Sequence, residues 1–141
     1  MVKEDNGNEL LQLTTTDRAV VVTAMVNGNA VGEASMSRQV LPLTFTRAGV
    51  EETVADHWYF NRLVVKPAYR GRGLSKRLLT ELTAQCAARE LVLLCDVNPY
   101  GDLDHDQLVD LYHRFGFVDV QLNEYGYTWT TLLLDRRKGT S

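Results

Sequence analysis

The sequence predicts a mixed α/β domain with helices packed on a sheet, and three observations carry that prediction. Runs rich in β-branched, aromatic and other apolar residues at 19–26, 58–65 and 91–95 have the composition of strands. Two other stretches, 74–86 and 108–115, repeat apolar residues at helical spacing. Strands and helices alternate through the second half of the chain, as expected for helices layered on a sheet.

Residues 1–17 are weakly patterned and read as a tail or an edge strand. The run 19–26 reads as a buried strand. Asn27-Gly28-Asn29 follows, a turn signal because Asn and Gly tolerate positive φ. The chain returns as a strand over 31–37, which makes a hairpin. Residues 38–57, interrupted by Pro42 and Gly49, leave alternatives open: a short strand at 40–45, and a loop or a helical turn at 51–56. The strand 58–65 ends at Pro67. After a Gly-rich turn, Leu74, Leu78, Leu79, Leu82 and Cys86 mark one helix face. Residues 91–95 are apolar throughout, as in a central strand covered on both faces. Asp104, with Gln107 three residues on, forms a variant capping box for a second helix. Leu108, Leu111, Tyr112 and Phe115 give that helix one apolar stripe, and Gly116 closes it. Residues 117–122 and 127–134 read as two last strands.

The 141 residues suit a single domain spanning 1–141 with one core. No apolar run approaches a membrane span, and the polar start MVKEDNGNEL lacks the apolar stretch of a secretory signal. The expectation is a cytoplasmic protein that inserts in no membrane. A formal net charge of −3 argues against a nucleic-acid partner. The average conceals two charged strips. Six basic residues and no acid fall between His57 and Thr80 (Arg62, Lys66, Arg70, Arg72, Lys76 and Arg77). Five aspartates and no Lys or Arg fall between Asp96 and Asp110. Such strips suit two differently charged ligands, or are two solvated faces. Cys86 and Cys95 are too few for a disulfide framework and lie in apolar segments, as buried free thiols do. They lack a partner for nucleophilic work, and no set of side chains has metal-ligand spacing. His57 and His113 read as surface residues, and His105 as lying near a helix start.

The chemistry concentrates at strand, Gly-rich turn and helix start, residues 63–76. Glycines let the backbone turn tightly and approach a ligand. The helix start adds unpaired N–H groups and a partial positive charge, which together bind phosphate. Arg70, Arg72 and Lys76 add full charges. Taken alone, the turn also fits a simple strand-to-helix connection. It is not a P-loop, since no Gly-Lys-Ser/Thr follows at the required spacing.

This segment resembles the pyrophosphate loop of the GNAT N-acetyltransferases, R/Q-x-x-G-x-G/A after a strand that often ends V-x-P. The matching residues are Val65-Lys66-Pro67 and Arg70-Gly71-Arg72-Gly73-Leu74-Ser75, with Ser75 in place of the last Gly/Ala. A second family signature, L-Y-x-x-x-G-F, is matched by Leu111-Tyr112-His113-Arg114-Phe115-Gly116-Phe117. The resemblance spans residues 58–117. It implies the acyl-CoA N-acyltransferase fold, a central, mixed but mostly antiparallel sheet flanked by helices. It also implies acetyl-CoA as cosubstrate, no metal, and transfer of acetyl to an amine of a small molecule or protein by direct attack in a ternary complex. The strand ending Leu63-Val64-Val65 would splay from the strand at 91–97, and pantetheine would pair with backbone of Leu63 and Val65. The amides from Arg70 to Ser75, through Gly71, Arg72, Gly73 and Leu74, would hold the pyrophosphate beside Lys76. Tyr112 would protonate the departing thiolate, a step that suits a phenol because it is protonated at neutral pH. Periodicity alone would instead assign Tyr112 to the core.

Two departures from the family pattern stand out. The position seven residues before the motif Tyr, often Asn in the family, is His105, and Asn98 lies earlier. The family commonly has two helices between its first two strands, and this N-terminus has no room for them. The acceptor site is then open, or built from residues 38–57. Glu51, Glu52, Asp56, His57 and Glu124 are the candidate general bases, with an ordered water as alternative. The resemblance also allows a homodimer. A rival reading is a catalytically silent module on the same fold that binds CoA or a protein partner.

Overall fold

The structure, a computed structural model, describes residues 2–5, 9–99, 103–122 and 130–138; for 2–5 the backbone alone is considered. The weakly patterned N-terminus forms two strands, β1 (Val2–Asp5) and β2 (Glu9–Thr15), at one edge of the sheet. Next comes β3 (Ala19–Val26), in which Val20, Val22, Ala24 and Val26 are buried and the residues between them are partly exposed. That two-residue period fits a strand with one face on the core. The Asn27-Gly28 turn, with both residues at positive φ, leads into β4 (Asn29–Gln39).

Residues 43–54 form a second hairpin, β5 (Leu43–Arg47) and β6 (Val50–Val54). This corrects both alternatives left open for 51–56, a loop or a helical turn: Val50–Val54 is a strand. Glu51, Glu52 and Thr53 carry no strand-like pattern of their own. The ladder with β5, closed by Ala48 and Gly49 at positive φ, supplies the hydrogen bonds instead. The remaining elements are β7 (His57–Val65), a 3-10 turn (Pro67–Tyr69), α1 (Leu74–Ala88), β8 (Val92–Asp96), α2 (His105–Arg114), β9 (Val118–Leu122) and β10 (Thr131–Asp135). The expected last strand at 127–134 is thus seen from Thr131, and residues 123–129 lie outside the described set.

The strands join in the order β1-β2-β3-β4-β7-β8-β10-β9-β5-β6. Neighbours are antiparallel except β7 and β8, which are parallel and are linked by the crossover helix α1. β8 is central and apolar for a visible reason. Leu93 and Cys95 join the core under both helices, together with Leu78, Leu82, Leu111 and Phe117. Val92 and Leu94 join a second core on the other face, with Phe45, Val54, Val120 and Leu133. The β5–β6 hairpin contributes Leu43, Phe45 and Val54 to that second core.

Both ends of α2 agree with the sequence reading. The Asp104 carboxylate accepts from the Gln107 N–H at 2.9 Å, and the Gln107 side chain accepts from the Asp104 N–H at 2.9 Å. At the C-terminus, the N–H groups of Gly116 and Phe117 return to the carbonyls of His113 and Tyr112.

Candidate active site

The site opens where β7 and β8 part. Their parallel pairing is confined to Trp58–Leu93 and Tyr59–Leu94. Beyond that point β7 continues to Val65, paired with β4 on its other side. The β4–β7 register shifts between Ser35–Arg62 and Met36–Phe60, which leaves Asn61 as the extra residue of a β-bulge. The bulge changes which residues face the helices: Trp58 and Phe60 before it, Leu63 and Val65 after it. A strict two-residue period over this strand could not have put all four on one face. The Lys66 N–H donates to the Val31 carbonyl at 2.8 Å. By strand alternation, the peptide groups of Val65 and Leu63 then point the opposite way, toward the gap.

At the far end of the gap the chain turns into α1. Gly71 and Gly73 have φ of 80° and 78°, a region L side chains rarely occupy. Gly73 is the N-cap of α1, and a Cβ built on either glycine would meet nothing within 4 Å. The Arg70 Nε donates to the Val65 carbonyl at 2.8 Å, tying the loop to the strand end. The Arg72 guanidinium lies 5.1 Å from the Tyr69 ring centroid.

A cavity of about 450 Å³ fills the gap. From β7 it is lined by Leu63, Val64 and Val65, and from the loop and α1 by Arg70, Gly71, Gly73, Leu74, Ser75 and Lys76. Asn98 beyond β8 and Tyr112 of α2 complete the set of sequence-predicted residues brought together here. Arg72 does not line the cavity; its guanidinium lies over the ring of Tyr69, which does. His105 does not line it either; its Nε2 lies 2.7 Å from the Thr130 hydroxyl, so Asn98 is the residue of the two at the cavity. Tyr112 is both a core residue and a cavity residue. It is 6% exposed, with its ring edge-on to Phe60 at 5.7 Å and near Phe117 at 5.4 Å.

None of the four described base candidates reaches the cavity. Glu51 is exposed on β6, and Glu52 pairs with Arg47 at 2.9 Å. Asp56 accepts from Arg38 at 2.6 Å. His57 corrects the surface reading: it is buried, with Nδ1 3.3 Å from the Leu41 carbonyl. Burial pushes its pKa below 6.5, partly opposed by that carbonyl and by Asp56. Glu124 lies outside the described residues. The aspartate strip is likewise dispersed. Asp104 caps α2, Asp106 is exposed, Asp110 pairs with Arg114, and Asp102 is outside the described residues. Among the described residues of the strip, Asp96 alone lines the cavity. Its carboxylate accepts from the Tyr59 hydroxyl at 2.9 Å and the Thr131 hydroxyl at 3.4 Å. Sequence reasoning did not single out this trio. The available signal was a charged residue closing an otherwise apolar strand. Both cysteines are buried thiols: burial raises Cys86 to about 12 and, with Asp96 adding to it, also pushes Cys95 up. Neither is a thiolate at neutral pH.

The sequence profile of the acetyltransferase (GNAT) domain matches residues 17–119. No curated protein matches the chain in sequence. Many solved structures share its fold. The ribosomal-protein-S18-alanine N-acetyltransferase of Escherichia coli is 20% identical with a TM-score of 0.58, covering 90% of this chain and 75% of that one. Naa50 of Arabidopsis thaliana, in complex with a bisubstrate analogue, is 18% identical with a TM-score of 0.55, covering 80% and 70%. The PaiA N-acetyltransferase of Thermoplasma acidophilum, in complex with coenzyme A, is 14% identical with a TM-score of 0.56; 84% of this chain aligns with 61% of that one, less than two thirds of its length. At these identities the likeness is one of fold. The domain profile goes further, matching more than half the chain and both motif-bearing segments, so this chain belongs to the GNAT acetyltransferase family.

Proposed function

We propose that the chain transfers the acetyl group of acetyl-CoA to an amine. The observation that carries this reading is the shared cavity: a strand gap, a glycine loop at a helix start and the Tyr112 side chain all line it. The lining residues fit coenzyme A. The gap-facing N–H groups of Leu63 and Val65 suit the amides of an extended pantetheine arm. The open space before Gly71 and Gly73 lets backbone approach a pyrophosphate, with Lys76 and the α1 start supplying positive charge. The Val65 carbonyl is already taken by Arg70, so on this residue the strand contact falls to the N–H.

Acetyl-CoA supplies an activated thioester carbonyl. An N–H on β7 polarises that carbonyl, and the cavity walls hold it away from bulk water. Tyr112 gives its phenolic proton to the sulfur as it departs. That the structural neighbours are named N-acetyltransferases supports an amine as acceptor. Calorimetry with CoA and dephospho-CoA, paired with thiol release from acetyl-CoA over a panel of primary amines, tests the reading. Binding of CoA together with amine-dependent thiol release is expected. Binding without turnover of any amine would replace the enzyme with a silent CoA-binding module.

A further inference from the structure

Asp96 is the single acidic side chain among the described residues that line the main cavity, which otherwise carries Arg62, Arg70 and Lys76. Its position follows from strand geometry. Pairing between β7 and β8 ends at Tyr59–Leu94, and Asp96 stands two residues further, on the same face as Leu94. It therefore sits where the strands part. From β7, Tyr59 donates to one carboxylate oxygen at 2.9 Å; from β10, Thr131 donates to the other at 3.4 Å. Both donors are neutral hydroxyls, and among the described residues no Lys or Arg pairs with this carboxylate. The two hydroxyls fix its direction.

The other wall matters equally. Leu94 and Tyr59 belong to the core on the hairpin side of the sheet, whereas Tyr112, Phe60 and Cys95 belong to the core on the helix side. Asp96 and Tyr112 thus reach one cavity from opposite faces of the sheet, with the strand gap between them. In acyl transfer, the nucleophile arrives and the leaving group departs in different directions from the carbonyl carbon. A proton acceptor on one face and a proton donor on the other meet that requirement.

We infer that Asp96 receives the ammonium group of the acceptor and takes the proton it must lose before attack, with Tyr59 and Thr131 as positioning residues; the acceptor is then a cationic primary amine entering on the hairpin side. This rests on the acetyltransferase reading above. The ammonium gives one proton to the Asp96 carboxylate, which frees the nitrogen lone pair. The N–C bond to the acetyl carbon forms and the C–S bond breaks. The sulfur takes the Tyr112 proton, the second surplus proton on nitrogen returns to the Tyr112 oxygen through water, and Asp96 releases its proton to solvent. One amide, one thiol and one free proton result.

The test uses n-butylamine and 1,4-diaminobutane as probes, with thiol release as the readout and CoA affinity measured separately. Asp96→Asn keeps the shape and removes the charge. It should leave CoA affinity within about twofold, raise the amine KM about tenfold and lower kcat by roughly 10²–10⁴-fold. Tyr59→Phe leaves the charge and removes one donor, so kcat should fall about tenfold with the amine KM nearly unchanged, a split that lost packing would not produce. Asp96→Ser serves if melting shows that the Asn variant is unfolded. Wild-type kcat and amine KM in a folded Asp96 variant, while Tyr112→Phe is impaired, would overturn the role of Asp96 and leave the acetyltransferase reading standing. A wild-type protein that binds CoA but turns over neither these amines nor any in the wider panel would overturn that reading, and Asp96 with it.

Discussion

Tyr112 has two occupations, and a single atom separates them. Its ring packs against Phe60 and Phe117, while the residue also lines the cavity. Tyr112→Phe keeps the packing and deletes the hydroxyl. Its stability should change by about 1 kcal/mol, the scale of one hydrogen bond. Acetyl-CoA affinity should hardly move, and kcat should fall by roughly 10²–10⁴-fold. Tyr112→Ala should in addition cost about 3–5 kcal/mol for the emptied core site. Melting curves and kcat for both variants separate the acid from the core residue, and wild-type kcat in the Phe variant would remove Tyr112 from the chemistry. His57 teaches the opposite lesson. A histidine beside an aspartate reads as a base from sequence, yet its ring is buried against the Leu41 carbonyl, away from the cavity.

At the level of elements, the glycine loop is held by backbone conformation and by one arginine. Gly73 at φ 78° tolerates a β-branched residue poorly although space is available, so strain rather than a clash is the expected penalty. Gly73→Val should lower the melting temperature and weaken CoA binding tenfold or more, by roughly 1.4 kcal/mol or above. Arg70, at the R/Q position of the motif, and Arg72, at an unspecified one, should part company. Arg70→Ala removes the link from loop to Val65 and should weaken CoA binding clearly. Arg72→Ala removes a side chain that does not itself line the cavity and reaches it only through the Tyr69 ring, and should change affinity by less. Calorimetry on the three variants ranks them, and equal losses for Arg70 and Arg72 would mean that plain charge, not loop anchoring, matters. The α2 capping box is separable from function. Asp104→Ala should cost about 1 kcal/mol of stability and leave the amine KM unchanged, because this aspartate is committed to Gln107.

For the whole molecule, two buried or paired groups set two acid steps. The pKa of His57 is lowered by burial, so between its folded value and 6.5 the unfolded chain binds more protons than the folded one. Stability is therefore intact above pH 6.5 and declines as pH falls through the folded value. For Asp135, burial works to raise the pKa, but the paired Arg137 and nearby Arg47 prevail and hold it below 3.8. Its contribution is present above pH 3.8 and is lost as pH falls through the lowered value. Melting temperatures from pH 7.5 to 3 should show both declines. His57→Asn should abolish the upper one and keep the lower. Persistence of the upper step in that variant would assign it elsewhere.

Local order is what the chain encodes most directly. The strand runs, the α1 stripe, the Asp104–Gln107 box and the Gly71–Gly73 turn each depend on neighbours within a few residues, and propensity, period and capping chemistry act at that range. The two motifs were legible because each is a short contiguous stretch, the first around one turn and the second across the end of α2, that resembles a family signature. Three features depended on pairing that the residues do not show by themselves, the last two with partners distant in sequence. The β6 strand exists through its ladder with β5. The Asn61 bulge, which redirects β7 toward the cavity, appears only in register with β4. Asp96 acquires its setting from Tyr59, 37 residues away, and from Thr131, 35 residues away. Register and proximity between remote strands are set by the packing of two cores on one sheet, and no local pattern in the chain specifies them.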